Sequence, residues 1–371
     1  MSTLDPLRRY RAVLAALAAA LLAACAVPWA PDGALPSAAA LPPAPEMASG
    51  YRPNLVTVHA ARHMAAAANP LASQAGHAVL RQGGSAVDAA IAMQAVLTLV
   101  EPQATGIGGG AFLMVWDGRQ AHAYDGRETV PAGATETLFL RADGKPMEFN
   151  EARIGGRSVG VPGVLRMLEL AHRAHGRLSW AQLFEPAIRL AEEGFPISAR
   201  LHTQIAAARF LPRSPTMAAY FLNADGSPKA AGTVLKNPAL AAVLRRIAQE
   251  GPDALHTGPV AQAIVAQVQG SANAGSLSLA DLRGYAAKER APLCSDYKRW
   301  RVCGMPPPSA GGIAVAQILG TLVALEARDA RWALAGLKPV PAATPAGTEL
   351  RPEAVHLIAE ADRLAYADRA L

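Results

Sequence analysis

Cysteine is nearly absent: 371 residues hold three, Cys25, Cys294 and Cys303. No C-x-x-C pair occurs, which removes the thiol redox motifs and the cysteine zinc cages. The chain also lacks H-E-x-x-H, G-x-S-x-G and a P-loop, so none of the common sequence-readable metalloprotease, esterase or nucleotide-binding sites is present. Aromatic residues make up 5% and charged residues 17% of the chain, and the arginines are scattered, not set between aromatics. That distribution argues against a nucleic-acid surface. Of the net charge of +6, residues 1–24 contribute +2 (Arg8, Arg9 and Arg11 against Asp5), leaving +4. Beyond residue 24 no apolar span reaches 18 residues; the nearest, residues 86–100, is shorter and contains Asp88.

What is abundant is small and apolar. Apolar residues reach 51%, rich in alanine and broken by 32 glycines and 29 prolines, as in a globular protein. The length suits two ordinary domains or one large one. Arg8, Arg9 and Arg11 precede an unbroken apolar run, Ala12 to Ala24, the pattern of a secretory signal. The run ends Leu22-Ala23-Ala24-Cys25, which resembles a bacterial lipobox and makes Cys25 the expected lipidation site; an ordinary signal peptide is the alternative. Residues 1–24 thus read as a lipoprotein signal peptide. Residues 25–53 are rich in Pro and Ala without periodicity and read as a tether. A globular region spans 54–371, with Val56-Thr57-Val58 as a first strand.

Helix punctuation then follows in order. Asn69 caps a helix with Pro70 at its first position, and Gly83-Gly84 ends it. Ser85 and Asp88 form a capping box for a helix through Val100, apolar nearly all round and therefore buried. Further helices are expected from Gly163 to about His175, from Ser179 as one piece through Glu193, from Pro238 to about Gln249, and from Pro259 to Gln269. A second capping box, Ser278 and Asp281, starts another. His172 and His175 lie one turn apart; with no third ligand spaced to join them, a solvated pair is the expectation, and no metal or cofactor is expected.

The chain's centre is residues 101–131. Gly106-Ile107-Gly108-Gly109-Gly110 precedes a short apolar strand, Ala111 to Trp116; Asp117-Gly118 makes a hairpin turn; and Ala121 to Tyr124 returns to Asp125-Gly126-Arg127-Glu128. The glycines formally match a dinucleotide fingerprint but follow a helix and open a strand, the reverse of the required context. They mark close backbone approach, either to a ligand or to a neighbouring strand. The hairpin brings Arg127 back beside the glycine loop, where its planar fork suits a ligand carboxylate. The competing assignment pairs Arg127 with Asp125 or Glu128 and gives it no other role.

These segments resemble the gamma-glutamyltranspeptidase (glutathione hydrolase) family of N-terminal-nucleophile hydrolases. The matching residues are Asn69 to Ala72, Gly83 to Ala90, Glu101-Pro102-Gln103, Gly106 to Gly110, Asp125 to Glu128, Gly160 to Gly163, Met305 to Gly312 and Tyr366-Ala367-Asp368-Arg369, in family order. The resemblance implies an α+β, four-layer αββα sandwich, of which this chain is the large-subunit half. It implies cleavage of glutathione and other gamma-glutamyl amides, with the acyl group passing to water or to an amino acid, and it gives Arg127 the substrate's alpha-carboxylate. In the family a precursor cleaves itself, and a threonine freed at the new N-terminus is the nucleophile. That threonine is expected downstream of Arg369, on a small subunit from the same precursor, so no catalytic residue is expected here, and this fragment alone is expected to be inactive and poorly soluble. Alternatives on the same fold are an acylase or a poly-gamma-glutamate-cleaving enzyme; a further one is a non-catalytic gamma-glutamyl-binding lipoprotein. Location is expected to be periplasmic or cell-surface, with Cys25 anchoring the protein to a bacterial membrane.

Leu293 to Val302 reads as a hairpin with Lys298-Arg299 as its turn, followed by a helix from Gly311 to about Leu325. A two-residue turn sets Tyr297 opposite Trp300 and Cys294 opposite Cys303, close enough for a disulfide in an exported chain; two buried free thiols are the alternative. No role follows from sequence for Ser309.

Overall fold

The caps organise the first helical layer. In the computed structural model, which describes residues 58–271, 273–329, 332 and 352–369, Asn69 Oδ1 accepts the Leu71 N–H at 3.0 Å and starts helix α1, Pro70–Arg81. Ser85 and Asp88 exchange hydrogen bonds as a capping box at the start of α2, Ala86–Val100. The signal, the tether, Val56-Thr57 and the loop at 337–350 lie outside the described residues.

From α2 the chain enters the expected hairpin, β1 (Ala111–Trp116) and β2 (Ala121–Gly126), with Ala111 opposite Gly126. A short helix α3 (Phe149–Arg153) leads towards α4 (Val164–His175), which packs against the hairpin. The single helix expected over 179–193 is two: a 3-10 segment, Trp180–Phe184, and α5, Glu185–Glu193. Pro186 explains the break, since it has no N–H to carry a helical ladder back to Gln182.

Further on come β3 (Phe195–Pro196), α6 (Ala199–Ala207), α7 (Pro215–Phe221) and β4 (Val234–Leu235), the last pairing with β3. Four helices follow: α8 (Pro238–Glu250), α9 (Asp253–His256), α10 (Gly258–Gln269) and α11 (Leu279–Gly284). Strand β5 (Lys288–Arg290) joins the first sheet beside β2, giving the order β1-β2-β5. The chain closes with the hairpin β6 (Leu293–Tyr297) and β7 (Trp300–Gly304), α12 (Gly311–Arg328) and α13 (Pro352–Arg369). The expectation that no apolar span reaches 18 residues is corrected here: α12 has 18 residues and a mean hydropathy of 1.3.

The main core is helical. Val87, Ile91, Ala92 and Val96 of α2 meet Leu165 and Leu168 of α4, Leu190 of α5 and Leu244 of α8. Ala111, Leu113 and Val115 lean on this core, whereas Met114 and Trp116, on the other face of β1, are 37% and 67% exposed. A satellite core gathers Val161, Val268, Leu277 and Leu282, and a third joins Leu322 of α12 to Leu357 and Ala361 of α13.

Candidate functional site

Asp125-Gly126-Arg127-Glu128 sits where β2 runs out beside the glycine loop, and each polar residue has a different task. The buried Asp125 carboxylate turns the backbone: Oδ1 accepts the Arg127 N–H at 2.9 Å, and Oδ2 accepts Arg290 Nε from β5 at 2.7 Å. Tyr285 donates its hydroxyl to the Arg127 carbonyl at 2.8 Å. Burial, and then the Asp125 and Glu128 carboxylates, push that hydroxyl up to about 12, so it remains a donor. The Arg127 backbone is therefore held on both sides.

Its side chain is not. The Arg127 side chain is 58% exposed and, among the described residues, its guanidinium meets one charge, Glu128 Oε2, at 2.9 Å. Of the two partners considered from sequence, Glu128 takes this ion pair, while Asp125 is engaged by Arg290. The other Glu128 oxygen, Oε1, accepts the Gly110 N–H at 2.8 Å and ties the end of the glycine loop to β2. Close backbone approach accounts for glycine at one end of the loop. A Cβ on Gly110 would come within 2.7 Å of the Glu128 N and Gly126 O, so only glycine fits, whereas a Cβ on Gly108 would meet nothing within 4 Å. Helix α4 meets the same loop with its first turn, where the Gly163 and Val164 N–H groups donate to Gly109 O at 3.0 and 3.1 Å. The site can thus present an open guanidinium beside a fixed, partly uncovered backbone loop, an arrangement suited to an anion with further hydrogen-bonding groups.

The remaining sequence-derived candidates fall elsewhere. His172 and His175 do not converge: His172 Nε2 bonds Leu178 O at 2.9 Å, and His175 Nε2 bonds the Tyr124 hydroxyl at 2.8 Å. Among the described residues no cluster of three or more His, Cys, Asp or Glu side chains could hold a metal. Cys294 lies opposite Cys303 with Cα atoms 4.0 Å apart and sulfurs 2.13 Å apart. Cys303 and Ser309 line a cavity of about 240 Å³ with Met305 and Gly312, and Ser309 Oγ accepts the Gly311 N–H at 3.2 Å. Cys25 lies outside the described residues.

Sequence reading missed two groups. Glu101 is fully buried at the mouth of the glycine loop, beside Arg200 from α6. Arg290 neutralises Asp125 from 165 residues away. An acidic residue directly after a mostly apolar helix was the available signal for the first; nothing local marks the second.

A sequence profile of the family described as Gamma-glutamyltranspeptidase matches residues 72–371. The glutathione hydrolase proenzyme of Bacillus subtilis is 38% identical over 312 residues, covering 83% of this chain and 49% of that protein. Acylase ACY 1 proenzyme of a Pseudomonas species is 35% identical over 332 residues, covering 87% and 54%. The crystal structure of Helicobacter pylori gamma-glutamyltranspeptidase superposes with a TM-score of 0.74 at 31% identity, covering 85% of each chain. The chain spans about half the length of the curated relatives it matches. With the α+β fold and the Asp125-to-Glu128 geometry in place, this chain belongs to the gamma-glutamyltranspeptidase family.

Proposed function

We propose that the protein cleaves gamma-glutamyl amides such as glutathione, and that Arg127 clamps the substrate's alpha-carboxylate. The observation that carries this is an arginine side chain 58% exposed on a backbone locked by Asp125 and Tyr285. Its ion pair with Glu128 leaves most of the side chain open to solvent, from where a second carboxylate would approach. The nucleophile is assigned to a threonine of a small subunit cut from the same precursor, in keeping with the word proenzyme in the relatives' names. That subunit is the proposed cover for the open β1 face at Met114 and Trp116.

The full-length protein tests this with gamma-glutamyl-p-nitroanilide. Arg127→Lys keeps the charge and loses the fork; hydrogen bonds to charged groups are worth about 1.5–3 kcal/mol, so substrate affinity should fall roughly tenfold or more. Unchanged KM and kcat in that variant would sink the assignment. The acylase relative motivates a second reading, a side-chain acylase on the same fold. Faster cleavage of a glutaryl amide than of the gamma-glutamyl amide would favour it.

Export and anchoring are proposed from the leader, with Cys25 carrying lipid. Radiolabelled fatty acid should enter the wild type and not Cys25→Ser. Equal labelling of both, or of neither, would remove the anchor.

A further inference from the structure

We infer that Glu101 is a positioning residue for the glycine loop, a single buried carboxylate on which two amide donors and one guanidinium converge. It rests on the gamma-glutamyl reading above for its consequence in turnover, but not for its structural content. Glu101 follows the last residue of α2 and has no solvent exposure. Its Oε1 accepts Asn69 Nδ2 at 3.3 Å, its Oε2 accepts Gln103 Nε2 at 2.6 Å, and Arg200 Nε lies 3.3 Å from the same Oε2.

The amide orientation at Asn69 is set independently. Asn69 Oδ1 already caps α1 through the Leu71 N–H, so the group facing Glu101 is the NH2. Asn69 and Gln103 donate one to each oxygen, and Arg200 adds a positive charge beside Oε2, so an ionised carboxylate, accepting on both oxygens, suits all three. Glutamine at this position would aim its own NH2 at one of those donors.

The consequence runs through the backbone. The Glu101 carbonyl accepts the Ala104 and Thr105 N–H groups at 3.0 Å, forming the turn that precedes Gly106. Gln94 of α2 then holds Gly106 O at 3.3 Å, and Glu128 holds Gly110 N at the far end. Glu101 thus fixes the entry to the loop that lies beside Arg127, and it does so from α1, α6 and the turn at once. A charge buried at such a point is costly to leave unpaired, so the two amides, the guanidinium and the carboxylate act as one unit.

Hydrogen exchange on the full-length protein without ligand judges this directly and needs no turnover. In Glu101→Gln, amides 104–110 should exchange at least about tenfold faster while those inside α2 keep their protection. Gln103→Glu, at an exposed position, sets carboxylate against carboxylate without touching the core, and should loosen the same segment less. In turnover the gamma-glutamyl KM of Glu101→Gln should rise about tenfold with kcat within about twofold, the split expected when binding alone is lost. Glu101→Gln/Arg200→Gln should not restore KM; restoration would show that charge balance alone was at stake. Wild-type exchange at 104–110 in both single variants, or acceleration spread equally through α2, would overturn the inference. Wild type without gamma-glutamyl turnover would instead count against the proposed function and leave the exchange result to decide Glu101.

Discussion

Helices α2 and α12 are both long and apolar, yet they end in opposite situations. Every residue of α2 after Ala86 is buried or half-buried, and Ile91, Ala92 and Val96 have no exposure. In α12, Ile313, Val315 and Val323 remain 40%, 45% and 38% exposed, and only Gly312 and Leu322 are buried. The difference lies in what surrounds them. Helix α2 is wrapped by α1, α4, α5 and the Trp180–Phe184 turn, whereas α12 meets α13 and one face of the β6-β7 hairpin. Apolar composition marks a surface that must be covered; it does not say by what. Polar groups repeat the contrast. Asp88, fully buried on α2, accepts the Ser85, Arg177 and Leu178 N–H groups through one oxygen, while ion pairs such as Lys145–Asp143 and Arg363–Glu360 lie between exposed side chains.

The sharpest way to break the comparison is a matched pair of truncations. Ile91→Ala should cost about 2–5 kcal/mol in urea unfolding, the range for a filled core site. Ile313→Ala should cost roughly 0.5 kcal/mol or less, as for a surface change. Equal losses would mean that α12 is covered as thoroughly as α2.

The hairpin beside α12 offers a second test, because a covalent link can stand where burial is thin. Cys294 and Cys303 are proposed to form a disulfide; denatured, unreduced protein should then show neither as a free thiol. Replacing both with alanine should cost about 2–3 kcal/mol on chain-entropy grounds. Two titratable thiols from this pair would refute the link.

The smallest effects concern two histidines with opposite shifts. Hydrogen bonds to Glu289 and then Asp117, both at 3.0 Å, hold His122 above its ordinary value of 6.5. Its contribution is complete below pH 6.5 and disappears as pH rises through the folded-state value. Burial holds His256 below 6.5, with Nδ1 on Leu282 O at 2.9 Å, so its contribution is complete above 6.5 and is lost as pH falls. The His122 ion pairs lie near the surface, so screening should keep their share below about 1 kcal/mol. Relative to wild type, Tm scans from about pH 5 to about pH 8 should tilt one way for His122→Gln and the other way for His256→Gln. Parallel tilts would contradict the assigned environments.

Local chemistry alone determined a good deal of this protein. Asn69, Ser85 with Asp88, and Ser278 with Asp281 start helices where they stand, because a cap is made within three residues. Asp117-Gly118 and Lys298-Arg299 set both hairpin registers, and with them the placement of Arg127 at the loop and of Cys294 opposite Cys303. Pro186 was equally local, but a helical period that continued through it hid the break. Tertiary structure decided what distance in the chain conceals. It set Arg290 on Asp125, Arg200 on Glu101 and Tyr285 on the Arg127 carbonyl, and so left the Arg127 side chain with a single ionic partner among the described residues. A charged side chain carries no record of which charge will reach it after folding. That pairing follows from the packing of whole elements, and the packing comes from burying apolar faces whose partners lie a hundred residues or more away.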